Sequence, residues 1–234
     1  MRVTKRRKAN NALMVKGKSY TLAEAVDFLK KAAPVKFDAS VDLQIKLGAD
    51  PNASTQGVRG TTLLPHGTGR SVRVVVLTKD ETGKAAEAAG ADFVGGLDLI
   101  NKIAGGWTDF DVVVASPSIM REVGKLGKVL GPKGLMPSPK AGTVTENVAE
   151  AVKELKKGRI EFKMDKQANL HCSIGKLSFD TAKLKENGQA LLSALLKARP
   201  QEVKGNFIVS VCLSSTMGPG LRLAENEYRE REAE

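Results

Sequence analysis

The segment GKLGKVLGPKGLMPSPKAG, residues 124–142, comes closest in residue type and spacing to a phosphate-binding element. It contains four lysines, five glycines and three prolines, and no acidic residue. Lysine side chains can bind phosphates, and glycines allow a backbone to approach them closely. The same composition is typical of a solvated surface loop. The sequence therefore predicts a mobile, turn-rich basic segment that is either a phosphate contact or a solvated loop. The candidate phosphate-binding cations are Lys125, Lys128, Lys133 and Lys140.

The spacing of the glycines excludes two nucleotide-binding motifs. A P-loop requires G-x-x-x-x-G-K-[ST], and neither Gly124 nor Gly127 has a glycine five positions later. A dinucleotide fingerprint requires G-x-G-x-x-G between a strand and a helix. The segment GTGRSV at 67–72 lacks the third glycine and precedes a predicted strand. We therefore expect no cofactor.

Residues that could perform catalysis or bind a metal are few. His66 lies in a connector rich in Pro and Gly, and His171 lies on a predicted strand. A structural or ligand-contacting role is favoured over acid–base catalysis for both. Cys172 and Cys212 are isolated within apolar runs and are expected to be small buried residues that hold no metal.

The charge of the chain favours a polyanionic partner. The 234 residues include 37 Lys and Arg against 26 Asp and Glu, a net charge of +11, which favours nucleic acid over membrane. Residues 1–18 hold seven basic residues and no acid, whereas the final ENEYREREAE has a net charge of −3. The basic arm is either a solvated tail or a phosphate contact. Because neither a signal region nor a long apolar run is present, we expect a cytoplasmic protein without a membrane partner.

Both ends of the chain predict strands with one polar face. TLAE at 21–24 is a capping box that starts a helix, and ASVDLQIKL at 39–47 alternates apolar with polar residues. Residues 48–70 contain no periodic run and are predicted to be a connector. Near the C-terminus RIEFKMD, NLHCSIG and FIVSVCL predict further strands, with a helix at about 180–197.

The middle of the chain predicts a parallel sheet covered on both faces. Near-continuous apolar strands alternate with helices, with strands at 71–78, 91–94 and 111–115 and helices near 81–89 and 97–104. Ser116 is expected to cap another helix that runs toward the basic segment. Thr143 and Glu146 are a candidate capping box for a helix at about 145–157.

These patterns predict an α/β protein with two domains. An α+β sheet domain is expected from both chain ends, residues 1–68 and 159–234. A Rossmann-like parallel βαβ domain is expected as an insertion at 69–158.

Five blocks of the sequence resemble one known family. They are VRGTTLLPHGTGRSVRV (58–74), FDVVVASPSIM (110–120), GKLGKVLGPKGLMPSPKAGTV (124–144), DKQANLHCSIGK (165–176) and SSTMGPG (214–220). Together they look like the bacterial L-one family of large-subunit ribosomal proteins, in the same order from the TLAEAV helix to Gly220. The acidic tail is where the chain departs from the family.

The resemblance implies a protein of the large ribosomal subunit that binds 23S rRNA at the mobile stalk beside the tRNA exit site, with exit-site tRNA as a transient partner. It also implies a translational repressor that binds the leader of its own operon mRNA. In the family the domain made from both chain ends holds the principal RNA site. The inserted domain binds no nucleotide, and no small-molecule substrate or enzymatic activity is expected. The basic segment then becomes a secondary RNA contact.

The resemblance also carries RNA-binding positions over by motif. They are Lys36, Phe37, Lys46, Asp165, Lys166, His171, Ser214, Ser215, Thr216, Met217 and Gly218. In the TMG signature, Gly218 can place backbone groups against a ribose, and the hydroxyls of Ser214 and Thr216 can bond a 2′-OH or a phosphate.

Strand alternation supports some of these positions and questions others. Lys46 and His171 are expected on the polar faces of their strands. A regular strand would send the adjacent Lys36 and Phe37 to opposite faces, so Phe37 is either an RNA contact or a core residue.

The rival hypothesis is a nucleotide-dependent enzyme. It would use the carboxyl ends of the middle strands, near Thr78, Gly95, Gly96 and Ser116. Neither phosphate motif is intact and the sequence offers no acid–base pair, so this hypothesis is disfavoured.

Overall fold

The chain divides into two compact units. The computed structural model describes residues 4–15, 17–32, 35–51, 53, 56–79, 82–203 and 205–228. Unit 1 consists of residues 1–69 and 160–234, and unit 2 of residues 70–159. The expected helix start near residue 81 and the last six residues of the acidic tail lie outside the described residues.

Helices and strands follow one another along the described parts of the chain. In chain order the described residues form α1 (Lys5–Leu13), α2 (Leu22–Lys31), β1 (Ser40–Leu47), β2 (Arg59–Leu63), β3 (Val74–Leu77), α3 (Thr82–Ala88), β4 (Phe93–Gly95), α4 (Leu97–Ala104), β5 (Val112–Ala115), α5 (Met120–Val123), α6 (Gly127–Leu130), α7 (Val148–Lys157), β6 (Arg159–Lys163), β7 (Asn169–Lys176), α8 (Thr181–Lys197), β8 (Ile208–Ser215) and β9 (Gly220–Arg222). Within these described ranges, no helix combines the length and the apolar character needed to cross a membrane.

Unit 1 is built on an antiparallel sheet with the strand order β7-β1-β8-β9. Strand β1 alternates as predicted, with Val41, Leu43 and Ile45 buried on one face. Helices α2 and α8 cover this apolar face. Helix α2 begins with the predicted capping box, in which Thr21 accepts from the N–H of Glu24 and the Glu24 carboxylate accepts from the N–H of Thr21. The opposite face of the sheet carries polar side chains.

Unit 2 contains a parallel sheet with the strand order β4-β3-β5. All four residues of β3 are fully buried, because successive side chains pack on opposite faces. Val74 and Val76 pack with residues of α3 and α7, whereas Val75 and Leu77 pack with residues of α4 and α5. The predicted fold class, mixed α/β with one antiparallel and one doubly covered parallel sheet, is confirmed.

The prediction that residues 48–70 form only a connector is wrong. Strand β2 occupies Arg59–Leu63 and pairs with β6. Its residues are half-buried or exposed without alternation, so the sequence carries no strand signal there. A Cβ on Gly60 would lie 2.6 Å from the Phe162 ring, so the strand depends on a close backbone approach that periodicity cannot reveal.

The basic segment 124–142 differs from its prediction in its first half. Residues 124–130 are helical, as a short 3-10 turn followed by α6, and the helix expected from Ser116 is divided into several such short pieces. Leu126 and Leu130 are buried in the core of unit 2. Two anchored leucines leave this half of the segment fixed rather than mobile, because their burial removes apolar surface from water.

The expected capping box at Thr143 does not form. The Thr143 hydroxyl accepts from the N–H of Ser138 at 2.8 Å and donates to its carbonyl. Val144 forms a parallel bridge with Ala115. The carbonyl of Thr143 accepts from the N–H of Ala115, and the N–H of Thr145 donates to the Ala115 carbonyl. Helix α7 therefore begins at Val148 instead of near residue 145.

Candidate nucleic-acid interface

The polar face of the unit 1 sheet presents aligned rows of hydrogen-bonding side chains. Gln44 on β1 lies opposite His171 on β7 and Cys212 on β8, and Cys212 lies opposite Arg222 on β9. Lys46 lies on this face as predicted, and so does the exposed His171. Cys212 is half-buried, so the prediction that it is a buried residue is wrong.

Cys172 occupies the other face of the same sheet. It lies opposite Leu43 and is buried, as predicted. Burial raises the pKa of the Cys172 thiol to about 12. The thiol therefore stays protonated near neutral pH and is a poor nucleophile and metal ligand.

The turn between β8 and β9 is tied to the start of β1. The N–H of Gly218 donates to the carbonyl of Ser215 at 2.8 Å and closes the turn. The N–H of Thr216 donates to the carbonyl of Ser40 at 2.9 Å, and the Thr216 hydroxyl accepts from the N–H of Ser40 at 3.1 Å. The Thr216 hydroxyl thus helps to fix the turn beside the start of β1.

Met217 is held in the turn in an uncommon conformation. Its φ is 66°, in the left-handed region, and the residue is 63% exposed. Phe37 is 54% exposed, so the core alternative for this residue is wrong. Residues 36 and 37 lie in a bend before β1, where strand alternation does not apply, and Lys36 is exposed as well. Met217 and Phe37 line one groove together with Val35 and Leu177.

The two serines before the turn have different environments. Ser214 lies on the polar face, where its hydroxyl oxygen accepts from the Gln44 side-chain amide at 2.8 Å. This leaves the hydroxyl hydrogen of Ser214 able to donate to a ligand. Ser215 is buried, and its hydroxyl oxygen would clash with a Cβ on residue 218. Ser215 therefore shapes the turn from below, and Gly218 is required by this close approach.

At the opposite end of β1, Asp165 organises the turn into β7. Its carboxylate accepts from the N–H groups of Asn169 at 2.7 Å and Gln167 at 2.8 Å. These backbone hydrogen bonds hold the pKa of Asp165 below its usual value, and the bond from Asn169 lowers the pKa most. Lys166 in the same turn is exposed. The Lys46 ammonium donates to the carbonyl of Gln167, so this end of the face combines cations with a fixed turn.

The predicted RNA-binding residues thus form two groups on unit 1. One group surrounds the 215–218 turn near Ser40, and the other surrounds Lys46 and the 165–169 turn. The rise per strand residue places these ends of β1 roughly 20 Å apart. An RNA ligand must span the polar face to contact both groups.

The secondary candidates lie on unit 2. Lys125 forms an ion pair with Glu122 at 3.5 Å, and Lys133 donates to the Thr108 hydroxyl at 2.6 Å. Lys128 and Lys140 are exposed. All four lysines of the basic segment are thus accessible on unit 2.

Two of the four positions that the rival hypothesis requires are buried. Thr78 and Ser116 are buried, and the Ser116 hydroxyl contacts that of Ser118 at 3.0 Å. The N–H of Thr78 donates to the carbonyl of Gly95, and a Cβ on Gly96 would lie 3.2 Å from the Thr78 carbonyl oxygen. In the part of the chain that the structure describes, no group of three His, Cys, Asp or Glu residues could hold a metal ion.

Sequence reasoning missed two residues that organise the turn. Ser40 binds Thr216 through its backbone, and Gln44 binds Ser214 through its side chain. Alternation along β1 already predicts a polar-face position for both. No sequence signal identifies their partners, because β1 and β8 are far apart in the chain and their register is a tertiary property.

Comparison with known proteins agrees with this architecture. The sequence matches the Ribosomal protein L1p/L10e family over residues 29–219. Relatives named "Large ribosomal subunit protein uL1" include that of Protochlamydia amoebophila, which is 54% identical over 206 residues, covering 88% of this chain and 87% of the relative. That of Kosmotoga olearia is 56% identical over 211 residues (90% and 91%), and that of Chlamydia abortus 56% identical over 210 residues (90% of each).

These relatives are structural ribosomal proteins, which confirms the expectation that the chain is not an enzyme. The family match covers most of the chain, and the relatives align with it over nearly their full length. The chain therefore belongs to the ribosomal protein L1p/L10e family.

Proposed function

We propose that this protein binds 23S rRNA of the large ribosomal subunit at the mobile stalk near the tRNA exit site. The observation that supports this site is the turn at 215–218, which holds Met217 exposed at a positive φ beside an exposed Phe37. Strained backbone conformations persist where the surroundings enforce them, and they cluster at binding sites. Exposed apolar side chains at the edge of a polar sheet face can pack on bases and riboses of an unpaired strand.

We assign the principal RNA site to the domain formed by residues 1–68 and 159–234. The proposed contacts are Lys36, Phe37, Lys46, Lys166, His171, Ser214, Thr216, Met217 and Gly218, with Asp165 and Ser215 holding the backbone of their turns. The inserted domain, 69–158, supplies the secondary contacts Lys125, Lys128, Lys133 and Lys140. The protein acts on the ribosome in the cytoplasm, with exit-site tRNA as a transient partner.

We further propose that the same surface binds the leader of the protein's own operon mRNA and represses its translation. A surface that recognises RNA mainly by backbone and shape accepts a second RNA of similar fold. The low aromatic content, 4%, agrees with this mode of recognition, because it leaves few side chains for stacking.

Replacing Met217 with alanine is expected to weaken binding of a 23S stalk fragment about 10-fold. Losing the partial burial of one methionine side chain against a base or ribose has about this effect. The fold should not suffer, because the side chain is mostly exposed. Filter binding at several salt concentrations measures the dissociation constant.

Lys133→Ala is the matched control on unit 2. It removes a cation whose ammonium already bonds Thr108, and it is expected to change the affinity less than 3-fold. Equal losses for the Met217 and Lys133 variants would contradict the assignment of the principal site to unit 1.

A leader RNA from the protein's own operon should compete with the stalk fragment for one site. Bound stalk fragment is expected to be displaced completely as leader RNA is added. Met217→Ala should lower the affinity for both RNAs by the same factor. Simultaneous binding of the two RNAs would show separate sites and would contradict the proposed repression mechanism.

A further inference from the structure

The basic helix α1 lies beside the turn at 215–218. A groove on unit 1 is lined on one side by residues of the helix, among them Arg6, Arg7 and Asn11, and on the other by Met217 and Gly218 of the turn. Met217 also lines the groove of Phe37. The same exposed side chain therefore separates an apolar groove from a basic one.

Helix α1 carries four consecutive cations, Lys5 to Lys8, and no acidic residue. In the described ranges of the chain, none of the four forms an ion pair. Like charges on adjacent turns repel one another and disfavour an isolated helix. The helix is held instead by its N-cap Thr4, the buried Asn10 and the packing of Met14 on the core.

The two arginines face the groove and the two lysines do not. Arg6 and Arg7 line it, whereas the exposed Lys5 and Lys8 are absent from its walls. A guanidinium group presents a planar fork of N–H donors that fits two phosphate oxygens, which an ammonium group cannot match. The exposed amide of Asn11 adds a neutral donor to the same wall.

We propose that the groove between α1 and the 215–218 turn binds the phosphates of the RNA strand whose base or ribose contacts Met217. Arg6 and Arg7 then belong to the principal RNA interface, and the N-terminal arm is a specific contact rather than a solvated tail. The inference rests on the proposed rRNA binding by unit 1.

Two double variants that each remove two positive charges test this inference. Arg6→Ala/Arg7→Ala is expected to weaken binding of the 23S stalk fragment at least 10-fold and to reduce the slope of log K against log salt by about 1 to 2. Lys5→Ala/Lys8→Ala is expected to weaken binding less than 3-fold. Alanine favours helix, so α1 should persist in both variants, and circular dichroism verifies this.

Arg6→Lys/Arg7→Lys keeps the charge and removes the fork, and an intermediate affinity is expected. Equal losses for the arginine and lysine pairs would overturn the inference, because they would indicate only general attraction by net charge. Unchanged affinity of Arg6→Ala/Arg7→Ala would overturn the inference as well. In both cases, binding of the stalk fragment by the wild-type protein would still support the proposed function. If the wild-type protein failed to bind the stalk fragment, both proposals would fall.

Discussion

Replacement of Gly218 by alanine is expected to weaken binding of the 23S stalk fragment about 100-fold, a loss of about 2.7 kcal/mol. A Cβ at this position would overlap the hydroxyl oxygen of Ser215 and would lie 3.3 Å from the Ser215 carbonyl oxygen. That carbonyl accepts the hydrogen bond that closes the turn. The new methyl group therefore forces the buried Ser215 hydroxyl out of its present position and crowds the carbonyl that closes the turn. We expect the turn to shift as a result and to move Met217 away from the position in which it meets RNA. Titration of labelled fragment measures the loss.

Ser215→Ala provides the matched control, because it removes the oxygen atom that the new methyl group would meet. Alone it should change the affinity less than 3-fold, since Ser215 is buried and shapes the turn without reaching the ligand. The double variant Ser215→Ala/Gly218→Ala should recover most of the lost affinity, because the remaining contacts of the Cβ are close but tolerable. If the double variant bound as weakly as Gly218→Ala, overlap with Ser215 would not be the cause.

The parts of the fold that the sequence predicts correctly are those in which local pattern and tertiary role agree. Alternation in β1 places Val41 and Lys46 on opposite faces, and the Thr21 capping box starts α2, as observed. The prediction fails where a tertiary contact decides the local structure. Thr143 bonds Ser138 instead of capping a helix, and β2 exists because Gly60 allows the Phe162 ring to pack against it.

The candidate site is predictable only in part for the same reason. The TMG signature identifies Met217 through its resemblance to a family, but only the structure shows that its φ is positive and its side chain exposed. The family resemblance carries Ser215 and Asp165 over as RNA contacts, and only the structure shows that the Ser215 carbonyl and the Asp165 carboxylate accept the backbone hydrogen bonds of their own turns. Contacts of this kind join residues distant in the chain or depend on exact turn geometry, which periodicity does not encode.

Asn187 on α8 joins three parts of unit 1. Its side chain is fully buried and donates to the carbonyls of Ile174 at 2.8 Å and Gly67 at 2.9 Å, and it accepts from the N–H of His66 at 3.1 Å. It therefore fixes the segment through which the chain leaves unit 1 against β7 and α8. A buried polar group that loses its hydrogen-bond partner costs about 1–3 kcal/mol.

Asn187→Asp is expected to lower the free energy of unfolding of unit 1 by about 3–5 kcal/mol at pH 7. The substitution keeps the shape of the side chain but turns a carboxylate oxygen toward the Ile174 and Gly67 carbonyls. Burial and these oxygens raise the folded-state pKa of the introduced carboxyl above its value of about 3.9 in the unfolded chain. Stability relative to wild type is then greatest below the unfolded pKa and is lost as the pH rises through the folded pKa.

The loss in free energy of unfolding caused by Asn187→Asp should therefore shrink as the pH falls from 7 toward 4, because the protonated carboxyl can donate one hydrogen bond again. Urea unfolding followed by circular dichroism measures this loss, and hydrogen exchange of β1 amides assigns it to unit 1. Gln189→Glu makes the same amide-to-carboxylate change at an exposed position of α8 and should alter stability by less than about 0.5 kcal/mol. A loss of stability that did not change with pH, or one equal to that of Gln189→Glu, would mean that the hydrogen bonds of Asn187 do not hold the segment of His66 and Gly67 in place. Asn187→Ala should have a free energy of unfolding between those of wild type and Asn187→Asp at pH 7. Alanine loses the hydrogen bonds to the Ile174 and Gly67 carbonyls but places no negative charge beside them.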